Sequence, residues 1–176
     1  MKIALTSTHS AGKTSLVKAL SELPEFKDYQ FYTEKTKQLK EEFKVKLNDD
    51  SQLVSQYIFM GERAKELHSS DNFISDRSIY DVCAYSLGAK SIPFCLRRLL
   101  VESCVPLTDE YDVIIYVDPI GVKIEDNGLR SVDPIYRDKI NHTIQELLFQ
   151  YPPKKLIKVS GSTEQRIVQI KGVLFP

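Results

Sequence analysis

The stretch Ser7-Thr8-His9-Ser10-Ala11-Gly12-Lys13-Thr14-Ser15 directly follows the apolar run "KIAL" and contains the residue types that hold phosphate groups. The pattern for that chemistry is G-x-x-x-x-G-K-[ST], and only its first glycine is replaced, by Ser7. Gly12 lets the backbone pass close to phosphate oxygens, Lys13 bridges the outer phosphates of ATP, and Thr14 offers a hydroxyl to magnesium. Ser10, Ala11 and Ser15 complete the ATP-binding loop. Position 7 needs a tight turn leaving a strand, which a small serine makes at some strain. Gly-Lys-Thr/Ser alone arises by chance in roughly one chain in ten of this length. Its setting decides, because it lies between a predicted strand and a predicted helix, where backbone N–H groups and a helix N-terminus meet phosphate charge.

Two further acidic positions close apolar runs. Asp76 ends "NFISD", beside the loop in a parallel sheet and close enough to hold magnesium, while Arg77 can reach a second anionic group. An Asp-Arg pair taken alone is as often a surface ion pair. Glu34 follows "YQFYT" at the rim where α/β sheets bind ligands. The charges after it, Lys35, Lys37, Lys40, Glu41 and Glu42, read equally well as a solvated helix face.

The elements that must position these groups follow from hydrophobic spacing. Strands are predicted over 2–7, 29–33, 72–76, 112–118 and 155–160, and helices over 13–23, 51–67, 93–104, 133–151 and 163–174, with another starting near Ser78. Asp50 or Ser51 can cap the second of the listed helical runs, and Asp133 with Pro134 can open the fourth. The alternation predicts an α/β fold, a parallel sheet of five strands flanked by helices in three layers. No repeat, low-complexity tract or linker interrupts it, so residues 1–176 read as a single domain.

Composition narrows the function classes. The 176 residues are 42% hydrophobic and 27% charged, with 24 basic and 24 acidic side chains cancelling, which disfavours a general polyanion binder. Cys83, Cys95 and Cys104 lack CxxC spacing and read as buried free thiols. His9, His68 and His142 show no ligand spacing, so no metal beyond magnesium is expected. A strand begins almost at once and no apolar run reaches membrane-spanning length, which leads us to expect a cytoplasmic protein without a membrane partner.

The segment "ISDRSIYDVCAY" resembles the Asp-Arg-Tyr/Ser region of thymidylate kinases and deoxyribonucleoside kinases, including the spacing to Ala84-Tyr85. Residues 124–140, "IEDNGLRSVDPIYRDKI", look like the "DGxR" lid segment of phosphate-loop ATPases related to nicotinamide riboside kinase. The resemblance implies a phosphate-loop kinase fold with strand order 2-3-1-4-5 and a mobile lid over about 119–137. It also implies ATP and Mg2+ as cofactors and a role in nucleotide metabolism. Arg130 and Arg137 would meet the transferring phosphoryl group when the lid closes; the alternative is solvated lid charges paired with Asp126, Asp133 or Asp138. Glu34 resembles the glutamate that accepts the proton of the attacking hydroxyl in deoxyribonucleoside kinases. Gln52, Gln56, Tyr57, Phe59 and Arg63, with Arg77 and Tyr85, would shape the acceptor pocket, although Phe59 is equally plain core. "SGSTEQR" resembles the adenine loop, with Gly161 giving close backbone approach.

The reading is a kinase that moves the γ-phosphoryl of ATP to a small nucleotide or nucleoside, leaning to a deoxynucleoside monophosphate. Arg77 and Arg63 favour such an anion; Glu34 favours a hydroxyl, on a nucleoside or on a modified base in DNA, for which a neutral chain gives little electrostatic support. An acceptor-independent ATPase or binding module is the competing class. The apolar stretch 92–107 can pack in the core or in a homodimer.

Overall fold

The computed structural model describes residues 1–126, 128 and 131–175, the side chain of Asp49 apart. The chain runs β1 (Lys2–Thr6), α1 (Lys13–Ser21), β2 (Gln30–Tyr32), α2 (Thr36–Phe43), α3 (Leu53–Ser69), β3 (Phe73–Asp76) and α4 (Ile79–Gly88). It continues through α5 (Phe94–Thr108), β4 (Val113–Val117), α6 (Pro134–Gln150), β5 (Leu156–Val159) and α7 (Thr163–Leu174). All pairings are parallel and the strand order is β2-β3-β1-β4-β5, as the sequence led us to expect.

Side-chain alternation along the strands feeds two cores, one on each face. Ile3, Leu5, Ile74, Val113, Ile115 and Val117 pack with Leu16, Val17 and Leu20 of α1 and Ile170 of α7. Ala4, Phe73, Ile114 and Tyr116 point to the other face, where Leu67, Ile79, Leu100, Ile140 and Ile144 cover them from α3, α4, α5 and α6. Because both faces are dry, the strands read as continuous apolar runs.

Local chemistry fixes several helix starts. Asp133 accepts from the Ile135 N–H and Pro134 occupies the first turn of α6, as predicted. Ser78 and Asp81 form a capping box at α4, and Ser162 and Gln165 form one at α7. Asp50 and Ser51 do not cap α3: residues 48–50 wind into a 3-10 turn and Gln52 takes the cap position without a side-chain bond. Helix α5 runs past the expected end at 104, through Pro106, to Thr108. It buries Leu100, Val101 and Cys104 while exposing Phe94 and Leu99. Cys83 and Cys104 are buried free thiols, but Cys95 is exposed, contrary to expectation. No helix among the described residues is long and apolar enough to cross a membrane.

The register matters for the site. Leu5 lies opposite Asp76, so β1 and β3 end level and Asp76 stands beside the loop that leaves β1. The chain reverses its direction of travel across the sheet between β1 and its two neighbours, which opens a crevice at the strand C-termini.

Candidate active site

Residues 7–12 carry the chain from β1 into α1, with Ser10 at φ 53° and Gly12 at φ 81°. Ser7 is not among the left-handed residues; the strain expected there falls on Ser10. Gly12 is the N-cap of α1 and no side chain caps that end, so the first-turn N–H groups lack helical partners. A Cβ at Gly12 would lie 2.9 Å from Arg166 Nη1, and its φ independently disfavours any other residue. Ser10, Ala11, Gly12, Lys13, Thr14 and Ser15 all line a cavity of about 460 Å3, with Gly161 on its far side. Gly161, at φ 89°, makes the turn into the α7 capping box.

The buried Lys13 ammonium donates to the Ser7 carbonyl at 2.9 Å and the Thr8 carbonyl at 2.7 Å. Burial, then the Arg77 charge, pushes its pKa down to about 8 against the pull of Asp81, Asp76 and Glu34. Thr14 Oγ1 donates to Asp76 Oδ2 at 2.5 Å. Burial pushes the Asp76 carboxyl up, with Lys13 and Arg77 opposing, and its Oδ1 is buried without a partner. An orphaned carboxylate oxygen beside a hydroxyl is a hard oxygen pair that fits Mg2+, an ion that draws its remaining ligands from phosphate and water. Among the described residues no group of three or more His, Cys, Asp or Glu side chains gathers to hold an ion.

A second cavity, of about 350 Å3, opens between α2, α3 and α4. Thr14, Glu34 and Arg77 line both cavities. Glu34 Oε1 accepts from Arg77 Nη2 at 2.9 Å, from Arg77 Nε at 3.2 Å and from Thr36 Oγ1 at 2.8 Å. Arg77, held at φ 135°, also donates through Nη1 to Asp81 Oδ1 at 3.0 Å and lies over the Tyr85 ring at 5.4 Å. The Tyr85 hydroxyl accepts from the His9 N–H at 3.1 Å, joining this cavity to the loop.

Gln56, Phe59 and Arg63 line the second cavity as well. The Gln56 amide donates to Ser51 Oγ at 2.5 Å and accepts from Ser86 Oγ at 3.1 Å, so its plane is fixed. Phe59 does both things foreseen for it, lining the cavity and packing on the core. Arg63 is less available than expected, since its guanidinium pairs with buried Glu66 at 2.9 Å and reaches Ser75 Oγ at 3.4 Å. Burial pushes the Glu66 carboxyl up, with Arg63 opposing. Arg130 and the neighbouring Asn127 lie outside the described residues. Arg137 lines neither cavity and pairs with none of the lid carboxylates; its donors go to the carbonyls of Val122, Ser10 and Pro119. Sequence reasoning missed Asp81 and Arg166. The S-x-x-D spacing of Ser78 and Asp81 signalled the first, whereas Arg166 stands in "SGSTEQR" with nothing to set it apart from a solvated helix residue.

Sheet order, loop and paired cavities define a phosphate-loop fold of the kind used by nucleotide and nucleoside kinases. A family model described as an AAA domain matches residues 2–166, and the chain belongs to that family. No curated protein is matched. Among solved structures it is similar to a thymidylate kinase from Candida albicans at 15% identity and TM-score 0.70, covering 98% of this chain and 89% of that one. It is similar to a deoxyadenosine kinase from M. mycoides with bound dATP at 19% identity and TM-score 0.64, covering 100% of both. It is also similar to a NadR protein in complex with NR, at 18% identity and TM-score 0.73, covering 97% of this chain and spanning 50% of that one. At such identities the likeness is one of fold.

Proposed function

We propose that this protein, acting as one domain over residues 1–176, is a magnesium-dependent kinase transferring the γ-phosphoryl of ATP to a nucleoside- or nucleotide-type acceptor. The observation that carries this reading is the shared wall: Thr14, Glu34 and Arg77 line both the loop cavity and the second cavity. Donor and acceptor bound in adjoining cavities would meet at that wall, which is what phosphoryl transfer asks of a protein beyond charge neutralisation. Lys13 and the loop N–H groups bind the phosphates, and Thr14 and Asp76 would hold the ion, which offsets phosphate charge when bound.

For the acceptor, a hydroxyl is the reading we favour. Arg77 is already neutralised by Glu34 and Asp81, which weakens it as a partner for a substrate phosphate. In this reading Glu34 takes the proton of the acceptor hydroxyl, whose oxygen bonds to the γ-phosphorus as the bridging bond to ADP breaks. The deoxynucleoside monophosphate toward which the sequence leans is the second reading, favoured by Lys35, Lys37, Arg63 and Arg77 on the acceptor-cavity wall. The test is incubation with ATP, Mg2+ and a panel of nucleosides and monophosphates, read by mass spectrometry. Acceptor-dependent ADP and a product heavier by one phosphoryl group are expected, and ADP formed equally without acceptor would replace the kinase by an ATPase.

A further inference from the structure

Two buried arginines grip the phosphate loop from behind. Arg166, in the first turn of α7 and 3% exposed, donates through Nη1 to the Ala11 carbonyl at 2.8 Å and through Nη2 to the Asp118 carbonyl at 3.0 Å. Arg137, in the first turn of α6 and 9% exposed, donates through Nη2 to the Ser10 and Pro119 carbonyls at 3.1 and 3.0 Å, and through Nη1 to Val122 at 2.8 Å. The loop carbonyls held belong to consecutive peptide units, and no described peptide bond is cis. In a trans peptide the C=O and N–H point opposite ways, so a guanidinium on each oxygen sends the N–H groups of Ala11 and Gly12 to the other side. Those two units sit between the left-handed residues Ser10 and Gly12, the alternation from which anion-binding nests of N–H groups are built. Arg166 itself lines the loop cavity, and its buried Nε has no hydrogen-bond partner, leaving a donor for an anion there.

We propose that Arg166 and Arg137 are positioning residues for the triphosphate: they lock the two peptide units whose N–H groups receive phosphate, and Arg166 adds its charge to that cradle. The inference rests on the kinase reading only in taking ATP as the ligand. A rotation of either unit would turn a carbonyl oxygen toward the phosphates, replacing attraction by repulsion. The carbonyls of Asp118, Pro119 and Val122 fix the other ends of both clamps, so the loop is tied to the segment that follows β4.

The test is equilibrium titration of the whole chain, wild type and Arg166→Met, Arg166→Lys and Arg137→Met, with Mg-ATP and separately with inorganic tripolyphosphate, alongside thermal melting and steady-state kinetics. A folded Arg166→Met should bind both ligands at least ~10-fold more weakly, the loss expected for charged hydrogen bonds, with the acceptor KM unchanged. Arg137→Met should weaken both ligands in the same direction, and Arg166→Lys, with charge but no fork, should recover part of the affinity. Weakened ATP with unchanged tripolyphosphate would place Arg166 at the base or sugar and overturn the proposal, as would wild-type affinity in a folded Arg166→Met. If the methionine variant does not fold, a folded Arg166→Lys with wild-type affinity overturns it equally. A wild type that binds no ATP overturns both the kinase reading and the clamp; a wild type that binds ATP but transfers it to no acceptor leaves the clamp to be decided by the variants.

Discussion

The charge on Lys13 should make ATP binding depend on pH in a window where few lysines titrate. Its ammonium is buried and faces Arg77, and its pKa is pushed from 10.5 down to about 8 despite Asp81, Asp76 and Glu34. That interval corresponds to about 3 kcal/mol of disfavoured charge. The unfolded chain therefore holds this proton more tightly than the folded one, so the unliganded protein should gain stability as pH rises from about 8 to 10.5. Phosphate in the loop reverses the balance by giving the ammonium an anionic partner. Only the charged form binds well, and near pH 9 it makes up about one-tenth of the unliganded molecules, so Mg-ATP should bind about tenfold more weakly at pH 9 than at pH 7. At pH 8 binding should take up about half a proton. Calorimetric titration in two buffers of different ionisation enthalpy measures both, with Lys13→Met as the control that should bind weakly at every pH. A wild-type affinity that is flat between those pH values, or a slope that persists in Lys13→Met, would refute the placement of Lys13 on the phosphates.

Glu34→Gln keeps the shape of the wall but removes the base, and should lower kcat with a nucleoside acceptor by about 100-fold while the ATP dissociation constant stays nearly constant. A loss of that size with a monophosphate acceptor, whose oxygen needs no base, would show that Glu34 serves something other than proton transfer. Asp76→Asn removes a carboxylate that burial disfavours, so it should raise Tm in the absence of nucleotide while abolishing Mg-dependent turnover. A folded Asp76→Asn that turns over normally would free magnesium from that position.

How far the site could be read from the sequence depended on how local its physics is. The loop, the strand ends and the helix that Asp133 and Pro134 open each reside within a few residues of chain, so type and spacing revealed them. Asp81 had a local signal too, but a capping residue and an arginine partner look alike until Arg77 is seen to turn back on it. Arg63 was read as a free cation because Glu66, three residues on, is an ordinary helix neighbour; burial of the pair against Ser75 comes from the sheet. Arg166 and Arg137 were beyond reach in a stricter sense. Their partners are backbone carbonyls more than a hundred residues away, and a carbonyl carries no residue type.

That same distinction explains why Arg77 is the pivot of the candidate site. Its backbone sits at φ 135°, a conformation that costs an ordinary residue of order 1–3 kcal/mol and persists only where its surroundings over-determine it. Here they do: β3 ends at Asp76, Ser78 begins the α4 capping box, and only Arg77 lies between the two fixed elements. The guanidinium is thereby aimed across to Glu34 at the end of β2, and the three residues 76–78 each serve a different task, metal ligand, cross-wall cation and helix cap. Inserting or deleting one residue there would move Asp76 from Thr14 or Arg77 from Glu34. The close spacing of the motif is therefore set by the geometry of a strand end meeting a helix start.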